Sequence, residues 1–242
     1  MATQVLTGQQ IAAAELDGWT LLLSFGAGGL ETRIHTESFS QGLRLVESIG
    51  QAAETLGHHA ELDLRPFQVD VRLTSPDVRG VTETDMRLAR QIADIVAAVG
   101  AELECGSLTR IELGLDTPAY DKIAPFWAAV LDSQDVIGTE DWGDVGDPRT
   151  GLPMIWFRTA DARSTQRVWH PHLWVDPAQV RPRIDAALAA GGTLVSDQGA
   201  PSTWVLSDPD GNQLYLCTWQ PGTSSLCDSQ YRPGGTNWID RS

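Results

Sequence analysis

The segment Ile111-Glu112-Leu113-Gly114-Leu115-Asp116, followed by the apolar run Tyr120–Leu131, has a diluted counterpart sixty residues later. There Pro171-His172-Leu173-Trp174-Val175-Asp176 leads into Gln179–Ala190. Each unit opens with the two-residue alternation of a strand and continues at helical spacing. Each then leads into short strands: Val136–Thr139 and Met154–Arg158 in the first, and Thr193–Ser196, Thr203–Leu206 and Gln213–Thr218 in the second. Such a unit leaves its sheet face uncovered. Two in tandem predict one duplicated sheet, a paired βαβββ arrangement with a cavity between its halves.

The front of the chain has a different rhythm. Residues 8–16 read as a short helix, and Trp19–Phe25 as a strand ending in the turn Gly26-Ala27-Gly28-Gly29, with Thr32–Ser38 pairing back. Phe39, Leu43, Val46, Ile49 and Ala53 recur at helical spacing, which predicts a helix over 39–56 stopped by Gly57. Leu62 and Leu64 mark a third strand, and Phe67, Val69, Val71 and Leu73 a fourth. Thr82 and Asp85 form a capping box ahead of Met86, Leu88, Ala89, Ile92, Ile95 and Val96, the apolar face of a second long helix. Gly100 closes it, and Ala101–Ser107 reads as a linker. The expected division is therefore residues 1–100, residues 108–220 and a Gly-, Ser- and Pro-rich tail over 221–242.

Composition supports two bodies: eight of the nine tryptophans lie after residue 100. The net charge of −15 is shared by both parts, a surface that repels phosphate backbones and anionic lipid. Nucleic acid and membrane are therefore not expected partners. No apolar run reaches the roughly 20 residues that span a bilayer, and Met1-Ala2-Thr3-Gln4 lacks the basic and apolar regions of a secretion signal. Cys105, Cys217 and Cys227 form no CxxC and read as buried or incidental thiols, so the expected location is cytoplasmic. Asp141, Asp144 and Asp147 read as a solvated acidic loop.

Four of the five histidines sit in two tight pairs, His58-His59 and His170-Pro171-His172. Imidazole exchanges protons near neutral pH and ligates metals, so the pairs mark two candidate sites, one in each part. Adjacent rings at a helix-to-strand junction cannot both enter one apolar core, and neutral and protonated imidazole can act as base and acid. His170 and His172, two apart on a strand, point to one face. By the repeat offset, Glu112 is the counterpart of His172.

Leu6 to Gly100 resembles the pterin-4a-carbinolamine dehydratase family. The matching features are Trp19, Glu54-x-x-x-His58-His59, Val69-Asp70-Val71-Arg72-Leu73-Thr74 and Gly80-Val81-Thr82-x-x-Asp85 before Leu88-Ala89. The resemblance implies a four-stranded antiparallel sheet with helices on one face and a hydro-lyase that dehydrates a 4a-hydroxytetrahydropterin without cofactor. Its site would comprise His58, His59 and Asp85. Two positions depart from the pattern: Ala60 replaces the proline after the histidines, and Pro76 stands where the family has a third histidine.

Arg110 to Gln220 is similar to the glyoxalase-like, vicinal-oxygen-chelate superfamily. The similarity is carried by Ala124-Pro125-Phe126-Trp127-Ala128-Ala129-Val130-Leu131 and by Trp204-Val205-Leu206-x-Asp208-Pro209-Asp210-Gly211-Asn212. Metal-dependent members carry a ligand on each opening strand and a carboxylate on each closing strand. Glu112 and His172 or His170 match the former, whereas Tyr215 and Met154-Ile155-Trp156-Phe157 replace the latter. The expectation is a metal-free pocket for a small, partly aromatic molecule, lined by Glu112, Trp156, Arg158, His170, His172, Trp174 and Tyr215. The alternatives are a lyase, isomerase or oxygenase working in this second pocket, or a non-catalytic ligand-binding protein. Both families also imply a homo-oligomer.

Overall fold

The computed structural model describes residues 4–24, 27–118, 120–130, 136–138, 142–146, 155–159, 169–211 and 213–222. The expected tail lies largely outside these residues, as do Asp141, Asp147 and Cys227. The fold is α+β, built on two sheets.

The first sheet comprises β1 (Thr20–Ser24), β2 (Ala27–His35), β3 (Glu61–Arg65) and β4 (Gln68–Leu73) in the antiparallel order β1-β2-β4-β3. After the short helix α1 (Gly8–Ala12), the long helices α2 (Phe39–Leu56) and α3 (Glu83–Ala98) cover one face. They bury Leu45, Ile49 and Ala53 from α2, and Met86, Leu88, Ala89, Ile92 and Val96 from α3, against Val69, Val71 and Leu73. Ser38 caps α2 by accepting from Gln41 N at 3.2 Å, and Gly57 ends it at φ 61°, a conformation that favours glycine.

Two expectations need correction here. Ala101–Ser107 is not simply a linker: β5 (Glu102–Glu104) pairs with β2 and becomes a fifth strand. The second strand also begins earlier than expected, at Ala27, which pairs with Ser24. Gly28 and Gly29 are strand residues. A Cβ on Gly29 would run into the Arg72 guanidinium, so the glycine leaves room for that side chain to cross the sheet.

Among the described residues the second sheet has eight strands in the order β11-β12-β13-β10-β6-β9-β8-β7. The first unit is β6 (Thr109–Thr117), α4 (Tyr120–Val130), β7 (Val136–Gly138), β8 (Trp142–Val145) and β9 (Ile155–Thr159). The second is β10 (Trp169–Val175), α5 (Val180–Ala189), β11 (Thr193–Ser196), β12 (Thr203–Ser207) and β13 (Gln213–Cys217). The opening strands β6 and β10 meet antiparallel at the centre, and each pairs in parallel with the closing strand of its own unit. The predicted duplication is thus a single continuous sheet. Trp142–Val145 corrects the acidic-loop reading: Asp144 lies on β8, opposite Trp156.

Both helices cover the same face. Leu115, Val145, Ile155 and Phe157 pack with Ala124 and Ala128 of α4, and Val175, Leu206 and Leu216 pack with Val180 and Ile184 of α5. Strand alternation then sends Glu112, Trp156, His170, His172, Trp174 and Tyr215 to the helix-free face. Part of that face meets the front of the chain. Trp174 and Cys217 belong to the same buried cluster as Leu21, Leu23 and Trp19. Thr20 Oγ1 also donates to Asp176 Oδ2 at 2.6 Å.

Candidate functional site

The first site forms where α2 ends and α3 begins. His58 follows the Gly57 cap, and its Nε2 lies 2.6 Å from Asp85 Oδ1. Asp85 is the third residue of α3 and is fully buried. Its other oxygen, Oδ2, accepts from Thr82 N, Thr82 Oγ1 and Ser75 Oγ, each at 2.8 Å. The carboxylate therefore serves two purposes: it completes the capping box of α3 and it holds an imidazole from the end of α2.

The neighbouring rings part company. The His58 side chain is only 14% exposed, whereas His59 is 73% exposed with Nε2 3.3 Å from Glu54 Oε1. One ring is anchored and the other is solvated, so the pair divides into one fixed group and one accessible group. Pro76 is exposed in the turn between Ser75 and Gly80, whose backbones pair as an isolated bridge. The capping-box pattern made Asp85 legible from the sequence, but nothing there marked Ser75 as its partner.

The second cluster lies on the helix-free face of the larger sheet. His172 is opposite Glu112 on β6 and Tyr215 on β13. Its ring stacks on Tyr215 (centroids 4.7 Å, interplanar angle 2°) and meets Trp156 edge-on at 4.8 Å. His172 Nδ1 is 3.6 Å from Cys217 Sγ. His170 sits 5.4 Å from Tyr215 and 5.6 Å from both Trp156 and His172 (centroid distances), and its Nε2 is 3.1 Å from Asp116 Oδ1. Glu112 Oε2 accepts from Trp174 Nε1 at 3.0 Å. Gly114 makes the ring packing feasible: a Cβ there would strike the His170 ring and come within 2.9 Å of Trp156 Cζ2.

Six of the seven residues expected here are thus brought onto one face. The seventh, Arg158, stands on β9 in register with Asp116, and its side chain lies outside the described residues. Asp116 and Cys217, which the sequence reading did not include, contact the two histidines. Their alternation along β6 and β13 was the available signal.

Comparison with known proteins resolves the relationship. The model for pterin 4 alpha carbinolamine dehydratase matches residues 4–95, and that for a glyoxalase-like domain matches residues 112–217. A Nocardia farcinica protein provisionally named a pterin-4-alpha-carbinolamine dehydratase is 34% identical over 97 residues, covering 39% of this chain and 98% of that protein. The chain belongs to the pterin-4a-carbinolamine dehydratase family. A similarly named protein of Mycobacterium tuberculosis is 36% identical over 100 residues, covering 40% of this chain and 98% of its own length. Among solved structures, a transcriptional coactivator/pterin dehydratase from Brucella melitensis is 30% identical, covers 38% of this chain and 98% of that one, and has a TM-score of 0.35.

The dehydratase-family part thus carries a glyoxalase-like domain behind it. Metal-dependent glyoxalase-like proteins need several convergent donors, and the described residues of this sheet do not supply them. Among the described residues no three His, Cys, Asp or Glu side chains come together to hold an ion. Glu112 is bonded to an indole, and the closing-strand position beside His172 is the Tyr215 ring stacked upon it. The described residues do not fit a divalent metal.

The two parts of this dehydratase relative are joined by charge as well as by packing. Glu31 on β2 is buried between Arg110 of β6, at 2.7 Å, and Arg72 of β4, at 3.3 Å. Burial pushes its carboxyl above the ordinary range, and the two guanidinium groups pull it back.

Proposed function

We propose that the front part dehydrates a 4a-hydroxytetrahydropterin to the quinonoid dihydropterin, with His58 and His59 moving protons and Asp85 orienting His58. The observation that carries this is the 2.6 Å contact between His58 Nε2 and Asp85 Oδ1 at the otherwise buried end of α3. A carboxylate can only accept, so Nε2 carries the hydrogen and Nδ1 is the proton-accepting atom. Dehydration removes a proton from a ring N–H while the C4a–O bond breaks, and the hydroxyl leaves as water after taking up a proton. His58 suits the first transfer, because Asp85 stabilises the imidazolium that forms. The solvent-facing His59 suits delivery to the departing oxygen. The cycle needs no cofactor: one proton is taken and one returned.

The test is to generate a 4a-hydroxytetrahydropterin in solution and follow its decay with and without the protein. Acceleration that disappears in His58→Ala supports the proposal. Decay at the buffer rate with wild-type protein removes it.

A second reading concerns the glyoxalase-like domain, as a metal-free binder of a small aromatic molecule. The indole Nε1 of Trp156 is buried and has no hydrogen-bond partner among the described residues. A buried donor left so costs about 1–3 kcal/mol, which a ligand acceptor would recover. Tryptophan fluorescence that changes saturably with an aromatic carbonyl compound, and no longer does so in Trp156→Phe, would support this role.

A further inference from the structure

Ser75 is buried, and its hydroxyl has a bond that the shape of its own turn does not require. The turn is held by backbone: Ser75 N donates to Gly80 O at 2.9 Å, and Gly80 N donates back to Ser75 O at 3.3 Å. The helix cap is likewise complete without it, since Thr82 supplies both N–H and hydroxyl to Asp85 Oδ2. The Ser75 hydroxyl nevertheless donates to that same oxygen at 2.8 Å, with Thr82 Oγ1 3.0 Å away.

Three donors hold Oδ2, and among the described residues Oδ1 faces His58. A carboxylate with fewer fixed donors can swing away from Nε2, and an imidazole that loses this acceptor would then sample both tautomers. The next residue in the chain, Pro76, has no proton to exchange. The site therefore depends on keeping one ring in one protonation pattern.

We infer that Ser75 is a positioning residue, which pins the Asp85 carboxylate so that His58 is held with its hydrogen on Nε2 and Nδ1 open to accept a proton. This rests on the dehydratase reading for its catalytic meaning, although the tautomer claim stands on geometry alone. Ser75 itself touches no reacting atom. It acts through Asp85, in the way that outer partners of a ligating histidine set its ring.

The experiment uses the full chain labelled with 15N-histidine. Long-range proton–nitrogen spectra at mildly alkaline pH, assigned with His58→Gln, report which nitrogen of His58 carries the hydrogen. Wild type is expected to show the Nε2–H form. Ser75→Ala is expected to show mixed tautomers and a kcat lower by roughly 10–100-fold with KM unchanged, the loss of one hydrogen bond to a charged group. Ser75→Thr restores both readouts, whereas Ser75→Val, of the same shape without the hydroxyl, does not. Should Ser75→Ala fail to fold, this threonine–valine pair decides the matter. Equal tautomer populations and equal kcat in the variants with and without the hydroxyl overturn the inference. If wild type turns over no 4a-hydroxytetrahydropterin, the dehydratase reading fails, and the spectra alone still judge Ser75.

Discussion

Arg110 reaches across from the second sheet to Glu31 of the first, with Nη2–Oε2 at 2.7 Å and Nε–Oε1 at 3.1 Å, where the carboxylate is 1% exposed. This two-point contact ties the halves of the chain together through a buried carboxylate and a guanidinium whose side chain is 41% exposed. Arg110→Ala leaves Glu31 with Arg72 as its remaining guanidinium partner. The expected loss is about 1.5–3 kcal/mol, the value of a hydrogen bond to a charged group. Glu31→Gln combined with Arg110→Ala should recover part of it, because no under-compensated buried charge then remains. Equilibrium urea denaturation checks both variants.

The two adjacent histidines should respond unequally to removal. His58→Ala takes away an anchored acid–base group and is expected to lower kcat by roughly 10²–10⁴-fold. His59→Ala should cost less, since a 73% exposed ring can be replaced by solvent as a proton source. The initial decay rate of a 4a-hydroxytetrahydropterin measures both. Equal losses would place His59 in a closed site, at odds with its exposure.

Asp144 gives the fold a pH dependence. Burial pushes its carboxyl from an ordinary 3.8 up to about 7, and Arg79 draws it partly back. Between these values the folded chain holds a proton that the unfolded chain releases, so this contribution is complete in acid and is lost as pH rises through about 7. At about 1.4 kcal/mol per unit, the ceiling is roughly 4 kcal/mol. Tm measured across this interval should fall with rising pH, and Asp144→Asn should flatten that slope. An unchanged slope in Asp144→Asn would show that Asp144 is ionised in the folded chain.

Gly114 leaves room for the His170 and Trp156 rings. Gly114→Ala forces one of them aside, an overpacking change expected to cost about 1–3 kcal/mol. His170→Ala introduced with it should return part of the loss, since the struck ring is then gone. Calorimetric unfolding of the single and double variants tests the coupling.

Metal loading separates the glyoxalase-like domain from metal-dependent members of its class. Protein dialysed against Mn²⁺ or Zn²⁺ and then freed of excess is expected to retain less than one ion per chain by elemental analysis. A stoichiometric ion lost in Glu112→Ala would show a donor set that the described residues do not display.

The long elements were legible because each repeats a single signal many times. Five apolar residues at helical spacing located α2 at Phe39–Leu56, and a capping box with six apolar positions located α3. The shorter strands β5 and β8 were not legible. Glu102–Glu104 is too short for alternation, and its place depends on pairing with Arg33–His35 some seventy residues away. Trp142–Val145 is rich in glycine and aspartate, and pairing with β7 on one side and the Trp156 strand on the other makes it a strand.

Local chemistry along the chain determined which residues could do proton work, because imidazole and carboxylate are recognisable wherever they stand. It also determined that two sheet-building units follow one another in the second part. Tertiary structure alone decided that His58 turns inward to Asp85 while His59 faces water, and that Ser75 joins that carboxylate. It alone also set Trp174 and Cys217 against the first domain rather than an open cavity. The physical reason is that hydrogen bonds and burial depend on distances between residues far apart in the chain, and those distances exist only once the sheets have formed.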